Sequence, residues 1–521
     1  MTTEAGTEHA GADHYAAFAA GLSSGRPSVV VRRLIDDLET PVSAYLKVGL
    51  GRTHAFLLES VEGGALNGRY SIITVEPDVV WRCRGGAAEI ARGGEAIAAD
   101  RFTAEPLPAL QSLRALIAAT AFDLKTTPYG ELPPMAAGLF GVFGYDMVRL
   151  LEPLGEPNPD PLDLPDAVLT RPSLVAMFDS VRREIVMVST VYPDAGLDAD
   201  AAWAAANARL DDFESRLRRP LLGRQGAEQT ALPAFVSPVD AHAYGVMIAR
   251  AKDYIAAGDI FQVVLSHRFS APWSGEPFAF YRSLRRQNPS PYLFYLNFGD
   301  FQLAGSSPEI LVRLKDGGVT IRPLAGTRSR GATPEEDRRL EAELLADPKE
   351  LAEHLMLLDL GRNDVGRVSA PGTVKVTESF KVERYSQVMH IVSNVEGRSH
   401  PDLDAVDTLL AALPAGTLSG APKVRAMEII DELEGEKRGV GYGGGVGYIS
   451  AGGEADICIV LRTAMFADGK VFVQAGAGVV ADSDPAAEYA ETQAKARAPI
   501  NAAADAWRFE LGAVLNEPGS V

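Results

Sequence analysis

Candidate strands and helices follow one another in blocks along this chain, and that order limits the folds available to it. Apolar, β-branched runs typical of strands cluster early in the chain, and glycine-rich strands fill its last third. A doubly wound parallel sheet requires strands and helices to alternate. The block order therefore favours an α+β fold with antiparallel sheets. The early strand candidates are residues 28–34, 55–60, 70–75, 173–179 and 183–192.

Changes in periodicity divide the chain into two modules joined by a linker. Helical periodicity is clear over residues 107–121 and 195–219, and it is lost beyond them. Pro238, Val239 and Asp240 then have the composition of a helix start. The division predicted from these changes is a disordered tail (1–25), an N-terminal module (26–219), a linker (220–236), a C-terminal module (237–505) and a second tail (506–521).

The composition of the 521-residue chain argues against several classes of protein. Its 69 acidic and 50 basic side chains give a formal net charge of −19, which disfavours nucleic acid or an anionic membrane as a partner. Its two cysteines, Cys83 and Cys458, exclude a disulfide framework and a cysteine-based zinc site. The sequence contains no apolar run of membrane-spanning length, and its first residues are polar and acidic, unlike an export signal. We therefore expect a cytoplasmic protein.

Five polar motifs in the last third of the chain point to one anion-binding site. Glycine and small hydroxyl residues contribute little to a hydrophobic core, but they expose backbone N–H groups and permit close approach to a small anion. Because the chain as a whole is acidic, local donors or a metal must hold such a ligand. The pattern predicts a compact, multiply anionic, non-phosphate metabolite. The motifs occupy residues 415–423, 441–448, 456–463, 474–480 and 488–496.

Two pairs of glutamates have the spacing of neighbours on a helix face. Glu350 and Glu353 are three residues apart in one helical stretch, and Glu488 and Glu491 repeat that spacing in another, with Lys495 one turn further on. Two carboxylates from two helices suit Mg²⁺, which binds oxygen ligands and keeps positions for substrate oxygens. Each pair alone is more typical of a solvated helix face, so the pairs indicate a metal site only in combination.

The glycines of the fourth motif have a second interpretation. Residues 476–481 form the pattern G-x-G-x-x-A after an apolar strand, as in dinucleotide-binding folds. That fingerprint requires a helix to begin directly after it, yet Asp482, Ser483, Asp484 and Pro485 follow. A structural glycine bend and a nest of backbone N–H groups for a carboxylate remain, and the nest is favoured.

Three single side chains complete the candidate chemistry, each with a structural alternative. Arg462 lies in an apolar, strand-like run, where a bidentate carboxylate ligand is favoured over a surface charge. His390 is by default a hydrogen-bonded core histidine, and its alternative role is proton transfer or contact with a leaving group. Glu309 follows a Ser-Pro turn, where a loop carboxylate and a general acid are equally good interpretations.

Taken together, nine motifs resemble the chorismate-utilising enzyme family, and within it the branch formed by component I, the large subunit, of anthranilate synthases. The resemblance extends from about Leu57 to Ala503, with the motifs in the family's order. It implies a two-sheet β-sandwich core with peripheral helices, an N-terminal regulatory portion and a C-terminal chorismate-binding portion. The motifs are FQVVLS, NPSPYLFY, GSSPE, IRPLAGTR, KELAEHLMLLDLGRND, VMHIVS, AGTLSGAPKVRAMEIIDELE, YGGGVGY and VQAGAGVVADS.

The resemblance also implies a set of ligand-binding residues. Glu353 and Glu491 would hold Mg²⁺, which grips the ring carboxylate of chorismate, and Glu350 and Glu488 would support that metal shell. The residues implied to contact chorismate are Gly326, Thr327, Tyr442, Arg462, Gly476, Ala477, Gly478 and Lys495.

The implied reaction converts chorismate and ammonia to anthranilate and pyruvate, the first committed step of tryptophan biosynthesis. Glu309 would protonate the departing 4-hydroxyl, His390 would help to position that end of the ring, and Thr417 would lie nearby. Ammonia would add at C2 to give aminodeoxyisochorismate, and the same site would then eliminate pyruvate. Mg²⁺ and Arg462 would neutralise two carboxylates while an acid assists a poor leaving group.

Two positions distinguish this reaction from those of sister enzymes. Isochorismate and salicylate synthases have a water-activating lysine where this chain has Gln262, and an amide cannot act as that base. Aminodeoxychorismate synthases typically have a nucleophilic lysine where this chain has Ala325. Both positions favour anthranilate as the product. Aminodeoxychorismate synthase component I remains the alternative enzyme, and an inactive tryptophan-sensing paralogue is the alternative of another class.

The resemblance further implies feedback inhibition and a partner subunit. Ser60, Pro291 and Tyr292 match the family's L-tryptophan site, and Leu293 replaces the methionine of the enterobacterial type with a side chain of similar volume. The motif of a glutaminase nucleophile does not occur in the sequence. Ammonia would therefore come from a separate glutamine amidotransferase subunit, anthranilate synthase component II, within a heterotetramer.

Overall fold

The computed structural model of the chain describes residues 4–61, 67–221, 233–384 and 388–510. Within these ranges it combines helices with one large sheet in which every strand pairing is antiparallel. The predicted α+β class with antiparallel strands is confirmed.

The strands account for most of the buried core and include every strand candidate from the sequence. They are β1 (Ser28–Ile35), β2 (Ala55–Val61), β3 (Asn67–Arg84), β4 (Ala87–Arg92), β5 (Thr103–Ala104), β6 (Gly138–Phe143), β7 (Ala167–Asp179), β8 (Glu184–Val191), β9 (Gln262–Pro272), β10 (Tyr292–Asn297), β11 (Phe301–Ser307), β12 (Ile310–Lys315), β13 (Gly318–Ile321), β14 (Leu324–Ser329), β15 (Lys375–Arg384), β16 (Val388–Arg398), β17 (Gly420–Ala421), β18 (Gly445–Ser450), β19 (Ala455–Ile459), β20 (Thr463–Ala467) and β21 (Lys470–Val479).

The helices lie around the strands. They are α1 (Glu4–Ser23), α2 (Pro41–Val48), α3 (Gly94–Ala98), α4 (Ala109–Thr120), α5 (Ala199–Leu217), α6 (Ala241–Ala257), α7 (Pro277–Gln287), α8 (Pro334–Ala346), α9 (Pro348–Val368), α10 (Ala405–Ala412), α11 (Lys423–Glu434) and α12 (Pro485–Asp505). In α6 the predicted start and stop are both present: the Asp240 side chain accepts from the N–H of Ala243, and Gly258 ends the helix in the left-handed conformation.

Two long strands, β3 and β7, form a ribbon from which two series of strands diverge. Their pairing shifts register after Pro77, which faces Pro172, and neither proline can donate a ladder hydrogen bond. On one side of the shift, β7 pairs with β8, and β8 pairs with β1. On the same side, β3 pairs with β2, and the pairing continues in order through β10, β11, β20, β21 and β9. On the other side, β3 pairs with β4, and β4 pairs with β5. There β7 pairs with β6, and the pairing continues in order through β18, β19, β12, β13 and β16.

Strands from both sequence modules join the same sheet. In the pairing of β2 with β10, Ser60 lies opposite Tyr292. In the pairing of β6 with β18, Gly141 lies opposite Gly447. The change in composition at residues 220–236 is therefore not a boundary within the sheet. Residues 222–232 of that predicted linker lie outside the described part of the chain.

The structure places a helix in most of the segment, residues 1–25, for which the sequence predicted a disordered tail. Helix α1 occupies Glu4–Ser23, and its Phe18 is 2% exposed. The Phe18 ring meets Trp203 of α5 edge to face, and the Phe18 carbonyl accepts a hydrogen bond from Ser28. One aromatic anchor thus fixes a segment whose composition is polar. At the other end, Ala506–Phe509 form a 3₁₀ turn instead of a tail, and residues 511–521 are not described.

Two long helices frame the region where the predicted site residues meet. Helix α9 packs against β14 and β16, while α12 packs against β21 and α7. Both begin at an aspartate N-cap followed by proline, Asp347 and Asp484 respectively. In the described ranges, none of the helices is both long and apolar enough to cross a membrane.

Candidate active site

Glu309 is a buried carboxyl between β11 and β12. It is 7% exposed, and the Thr417 hydroxyl lies 3.3 Å from each of its carboxyl oxygens. Burial raises the pKa of Glu309 to about 8, against smaller lowering effects from Thr417, the backbone of Leu324 and the charge of Arg462. Glu309 therefore holds a proton at neutral pH, which a general acid requires.

Arg462 lies at the junction of β19 and β20, and the prediction that it is a strand residue is wrong. Its φ of 49° is in the left-handed region, which non-glycine residues rarely adopt outside functional or strained sites. The positive charge of Arg462 lowers the pKa of both Glu309 and His390, so these three side chains share one region. A guanidinium, a group that can bind a carboxylate through two hydrogen bonds, thus lies in the same region as the buried acid.

His390 is held in one orientation by the backbone of β14. Its Nδ1 lies 3.2 Å from the carbonyl oxygen of Gly326, which has a φ of 65° at a bulge in the strand. Burial, followed by the charge of Arg462, lowers the pKa of His390 to about 4. The imidazole is therefore neutral at pH 7, and because Nδ1 faces a carbonyl it bears the proton, which makes Nε2 an acceptor.

The glycines of β21 allow close approach of the side chains around them. A Cβ atom on Gly476 would lie 2.9 Å from the Tyr442 hydroxyl, and one on Gly478 would lie 2.4 Å from Nε2 of Gln262. Strand β21 has β20 on one edge and β9 on the other. The pairing with β20 ends at Val473, whereas the pairing with β9 continues to Val479. On the edge beyond Val473, Lys495 donates to the carbonyl of Gly476 at 3.1 Å.

Four carboxylates from α9 and α12 form an acidic cluster, defined here as Glu350, Glu353, Glu488 and Glu491. Burial raises the pKa of Glu353, and the charges of Glu350 and Glu491 add to the effect. Burial likewise raises the pKa of Glu488, with a contribution from Glu491. Lys495 pairs with Glu491 at 2.8 Å, and Arg328 pairs with Glu350 at 2.9 Å. Among the described residues, no three histidine, cysteine or acidic side chains already form a cage for a metal ion.

The glycine-rich motif at 441–448 has mainly a structural role, contrary to the expectation that its glycines face the anion. A Cβ atom on Gly447 would lie 2.0 Å from the carbonyl oxygen of Asp456, and one on Gly444 would lie 2.1 Å from that of Phe143. These glycines let β18 fit between its neighbours. Tyr442 is the member of this motif that reaches the candidate site.

The four residues predicted to bind tryptophan lie together at the pairing of β2 with β10. Ser60 is exposed and faces Tyr292, and Leu293 faces Glu59. The Tyr292 hydroxyl lies 3.1 Å from the Arg313 guanidinium and 3.4 Å from the Asp456 carboxylate. Arg313 and Asp456 were missed by the sequence reasoning, although a charged residue ahead of the apolar run ICIV was a usable signal.

A buried ion pair was also missed, although both partners lie in motifs noted in the sequence. Lys423 Nζ lies 2.8 Å from Asp364 Oδ2, and the two side chains are 8% and 5% exposed. The usable signal in the sequence was an ionisable residue on the apolar face of each helix. Ionisable residues are rarely buried unless they are paired, so each such position predicts a charged partner.

Comparison with known proteins assigns the chain to a family. The model of the chorismate binding enzymes matches residues 71–501, most of the chain and nearly all of the residues described above. The chain belongs to the chorismate binding enzyme family. Within this family it is 55% identical to "Anthranilate synthase component 1" of Cereibacter sphaeroides over 498 residues, covering 95% of this chain and 98% of that protein. The corresponding protein of Pseudomonas putida is 48% identical over 474 residues, 90% of this chain and 93% of its own length.

Solved structures of chorismate binding enzymes agree with this assignment. Anthranilate synthase component I from Streptococcus pneumoniae matches with a TM-score of 0.74 and 37% identity, over 90% of this chain and 99% of that one. The menaquinone-specific isochorismate synthase MenF of Escherichia coli matches with a TM-score of 0.67 at 20% identity, covering 95% of this chain and all of that one, which supports the shared fold only.

Proposed function

We propose that this chain is the large subunit of an anthranilate synthase, which converts chorismate and ammonia to anthranilate and pyruvate. The observation that carries the proposal is Glu309, a buried carboxyl protonated at neutral pH and set in the field of Arg462. Loss of a hydroxyl from a ring carbon needs an acid of this kind. The identity of 55% to a relative of that name over nearly the full chain supports the same conclusion.

Chorismate would be held by donors at both of its carboxylates. Arg462 is the candidate for one carboxylate, together with the backbone N–H groups of Gly476 and Gly478, whereas that of Ala477 between them points toward β9. The Gly476 carbonyl points toward Lys495, and in a strand the N–H of the same residue points to the same edge. Tyr442, Gly326 and Thr327 complete the proposed contacts. The Tyr442 hydroxyl lies against Gly476, where it can reach the same carboxylate.

The acidic cluster fits a hard divalent cation. It offers carboxylate oxygens only. Besides burial, the charges of Glu350 and Glu491 raise the pKa of Glu353, and that of Glu491 raises the pKa of Glu488, because like charges are close together. Glu353 and Glu491 would hold Mg²⁺, with Glu350 and Glu488 as supports. When bound, the ion would neutralise the ring carboxylate of chorismate. Lys495, now paired with Glu491, is placed to hold substrate oxygen on the same side.

The proposed chemistry at the ring uses Glu309, His390 and Thr417. As the nitrogen of ammonia bonds to C2, the ring double bonds shift and the C4–O bond breaks. Glu309 gives its proton to the departing oxygen, which leaves as water, and the nitrogen releases one proton to the solvent. The Nε2 acceptor of His390 can hold the hydrogen of the 4-hydroxyl, while Thr417 orients the Glu309 carboxyl. Elimination of pyruvate from the aminodeoxyisochorismate then forms the aromatic ring.

Gln262 supports ammonia over water as the nucleophile. It is 3% exposed, and within the described residues its Oε1 has no hydrogen-bond partner. An amide oxygen accepts an N–H hydrogen bond but cannot remove a proton from water. Ala325 provides no nucleophile for the covalent route of aminodeoxychorismate synthases. Ammonia would come from a glutamine amidotransferase partner, and we infer a cytoplasmic heterotetramer.

Feedback by L-tryptophan is part of the proposal. The site would comprise Ser60, Pro291, Tyr292 and Leu293, with the half-buried carboxylate of Asp456 for the ammonium group of the ligand. Ser60 and Asp456 belong to different strand series, and side chains of both series share one apolar cluster that includes Phe56, Val446 and Cys458. We infer that the two series face each other as a two-sheet sandwich, with the regulatory site between them.

Fluorescence of anthranilate tests the proposal directly. Purified chain, chorismate, Mg²⁺ and an ammonium salt should yield anthranilate, and glutamine should not replace ammonium in the absence of a partner. Glu309→Gln is the matched control for the acid. Formation of 4-amino-4-deoxychorismate would instead favour the alternative enzyme, and tryptophan binding without any product would favour the inactive paralogue.

A further inference from the structure

A small cavity lies between Glu309 and helix α9. Its lining includes Glu309, Thr417, Gly361 and Asp364. The space open to the centre of a water molecule is about 20 Å³, enough for one or two waters. Apart from Glu309 and Thr417, the residues of the proposed chorismate site do not line this cavity, so it adjoins the catalytic acid from the side of α9.

Asp364, which lines the cavity, forms an ion pair with Lys423. Lys423 donates to Asp364 Oδ2 at 2.8 Å and reaches the carbonyl of Ala411 at 3.4 Å. Asp364 Oδ1 is buried and has no hydrogen-bond partner in the described part of the chain. A buried carboxylate oxygen without a donor is costly, and a water in the adjoining cavity would satisfy it.

Asp364 also lies next to the outer face of α9. The helix neighbours Asn363 and Arg367 are exposed, whereas Asp364 is 4% exposed. Burial raises the pKa of Asp364, against the lowering charges of Lys423 and Arg367. Asp364 is therefore a buried acid with solvent-exposed polar residues beside it and a polar cavity in front of it.

Glu309 needs a source of protons if it acts as the general acid. Each turnover removes the proton of its carboxyl, and at 7% exposure that carboxyl has almost no direct contact with bulk water. The charged groups around this path are Arg462 on the substrate side, and Asp364, Lys423 and Arg367 on the side of α9 and α11.

We propose that the cavity holds water which returns a proton to Glu309 from Asp364. The inference rests on the proposed role of Glu309. In this step the Asp364 carboxylate takes up a proton from solvent and releases it to the water, and the water passes one of its protons to the Glu309 carboxylate. The net change is the movement of one proton from solvent to Glu309. Asp364 touches no substrate and acts as a positioning residue for the water and the proton.

Gly361→Ala tests the cavity without changing any charge. A Cβ atom on Gly361 would lie 3.6 Å from Pro323 and 3.7 Å from Ile321, so a methyl group fits and takes the space of the water. Gly366→Ala is the matched control, because Gly366 lies in the same helix with no atom within 4 Å of its added Cβ. Both changes replace glycine by alanine inside a helix, so their effects on helix propensity are alike.

Rapid mixing with chorismate and ammonium separates the relay from a structural effect. We expect Gly361→Ala and Asp364→Asn to form the first equivalent of product at the wild-type rate and then to turn over at least about tenfold more slowly. The solvent deuterium isotope effect should rise on kcat but not on kcat/KM. Gly366→Ala should behave as wild type. Equal rates of the first and later turnovers in Gly361→Ala would overturn the relay, regardless of how Asp364→Asn changes the stability of the protein.

Infrared spectroscopy of the chain without substrate gives an independent readout. The C=O band of protonated Glu309 is identified by its loss in Glu309→Gln. After dilution into D₂O, this band should shift at least about tenfold more slowly in Gly361→Ala than in Gly366→Ala. Equal rates would refute the water path. Failure of the wild-type chain to make anthranilate, with the band behaving as expected, would instead refute the proposed function and leave the path intact.

Discussion

The side chain of Gln262 on β9 reaches Gly478 on β21 so closely that any side chain at position 478 would collide with the amide. The distance from Gln262 Nε2 to a Cβ atom on Gly478 would be 2.4 Å. Gln262, the residue proposed to select ammonia, can therefore occupy its position only because residue 478 on the neighbouring strand has no side chain. In the proposed function, the glycine motif of β21 would serve the nucleophile side of the site as well as the substrate carboxylate.

Gly478→Ala should lower kcat/KM for ammonia by about 10²-fold, because the added methyl group would displace Gln262 from its position. Thermal unfolding should change little, since the β21 backbone conformation suits alanine. Gly155→Ala is the control, as an added Cβ there meets no atom within 4 Å. Equal ammonia kinetics in the two variants would show that the position of Gln262 is unimportant.

Gln262→Lys should not make anthranilate faster than wild type. A lysine at this buried position can act as a base toward water, which an amide cannot, so part of the chorismate should be diverted to isochorismate. Chromatography of the products with and without ammonium measures the partition. An unchanged product profile would remove the support for Gln262 as the residue that selects the nucleophile.

The rate with ammonium should depend on pH in two opposing ways. Free ammonia increases with pH, but the proton on Glu309, whose pKa is about 8, is lost over the same range. When kcat/KM is expressed per free ammonia, it should therefore fall above pH 8. Glu309→Gln should lower it by about 10²–10⁴-fold below pH 8, and the difference from wild type should shrink above pH 8. A corrected profile that stays flat from pH 7 to 9 would contradict the acid assignment.

The same carboxyl should make stability depend on pH. The pKa of Glu309 is raised from 4.5 to about 8 in the folded chain, so the folded state binds the proton more tightly than the unfolded state does. The contribution of this proton to stability is complete below pH 4.5 and is lost as pH rises to 8. Glu309→Gln should unfold at a higher temperature than wild type above pH 8, with the difference shrinking toward pH 5.

Glu353→Gln and Glu491→Gln should each abolish turnover while leaving the fold intact. Each change removes a charge from the acidic cluster, so calorimetric titration should show weaker Mg²⁺ binding, and excess Mg²⁺ should not restore activity. Asp359→Asn in α9 is a suitable control, because its carboxylate is exposed and paired with Arg362. Wild-type Mg²⁺ affinity in either glutamate variant would exclude that residue from the metal site.

L-Tryptophan should inhibit the enzyme, and chorismate should oppose it. Linkage requires chorismate to weaken tryptophan binding by the same factor by which tryptophan weakens chorismate binding. Ser60→Phe should fill the space beside Tyr292 and lose inhibition while remaining active, because β2 contributes none of the proposed catalytic residues. Calorimetry that shows unaltered tryptophan binding in Ser60→Phe would refute the site, and no binding to wild type would refute feedback.

The sequence determined the local features of the site. A spacing of three residues placed Glu350 with Glu353, and Glu488 with Glu491, on single helices, because that spacing equals almost one helical turn. Asp240 fixed the start of α6 through its side-chain hydrogen bond, and Gly258 fixed the end through its left-handed conformation. The motifs of the chorismate-utilising family identified Glu309, His390 and Arg462 before any contact between them was known.

Only the tertiary structure decided which residues distant in sequence lie next to each other. Thr417 meets Glu309 across 108 positions of sequence, and Lys423 meets Asp364 across 59, distances that no local periodicity encodes. Arg462 adopts a left-handed turn that its apolar surroundings did not predict, and the glycines of 441–448 turned out to permit strand packing. Local pattern reflects backbone geometry over a few residues, whereas pKa values, cavities and close approaches depend on burial, which only the assembled sheet and helices create.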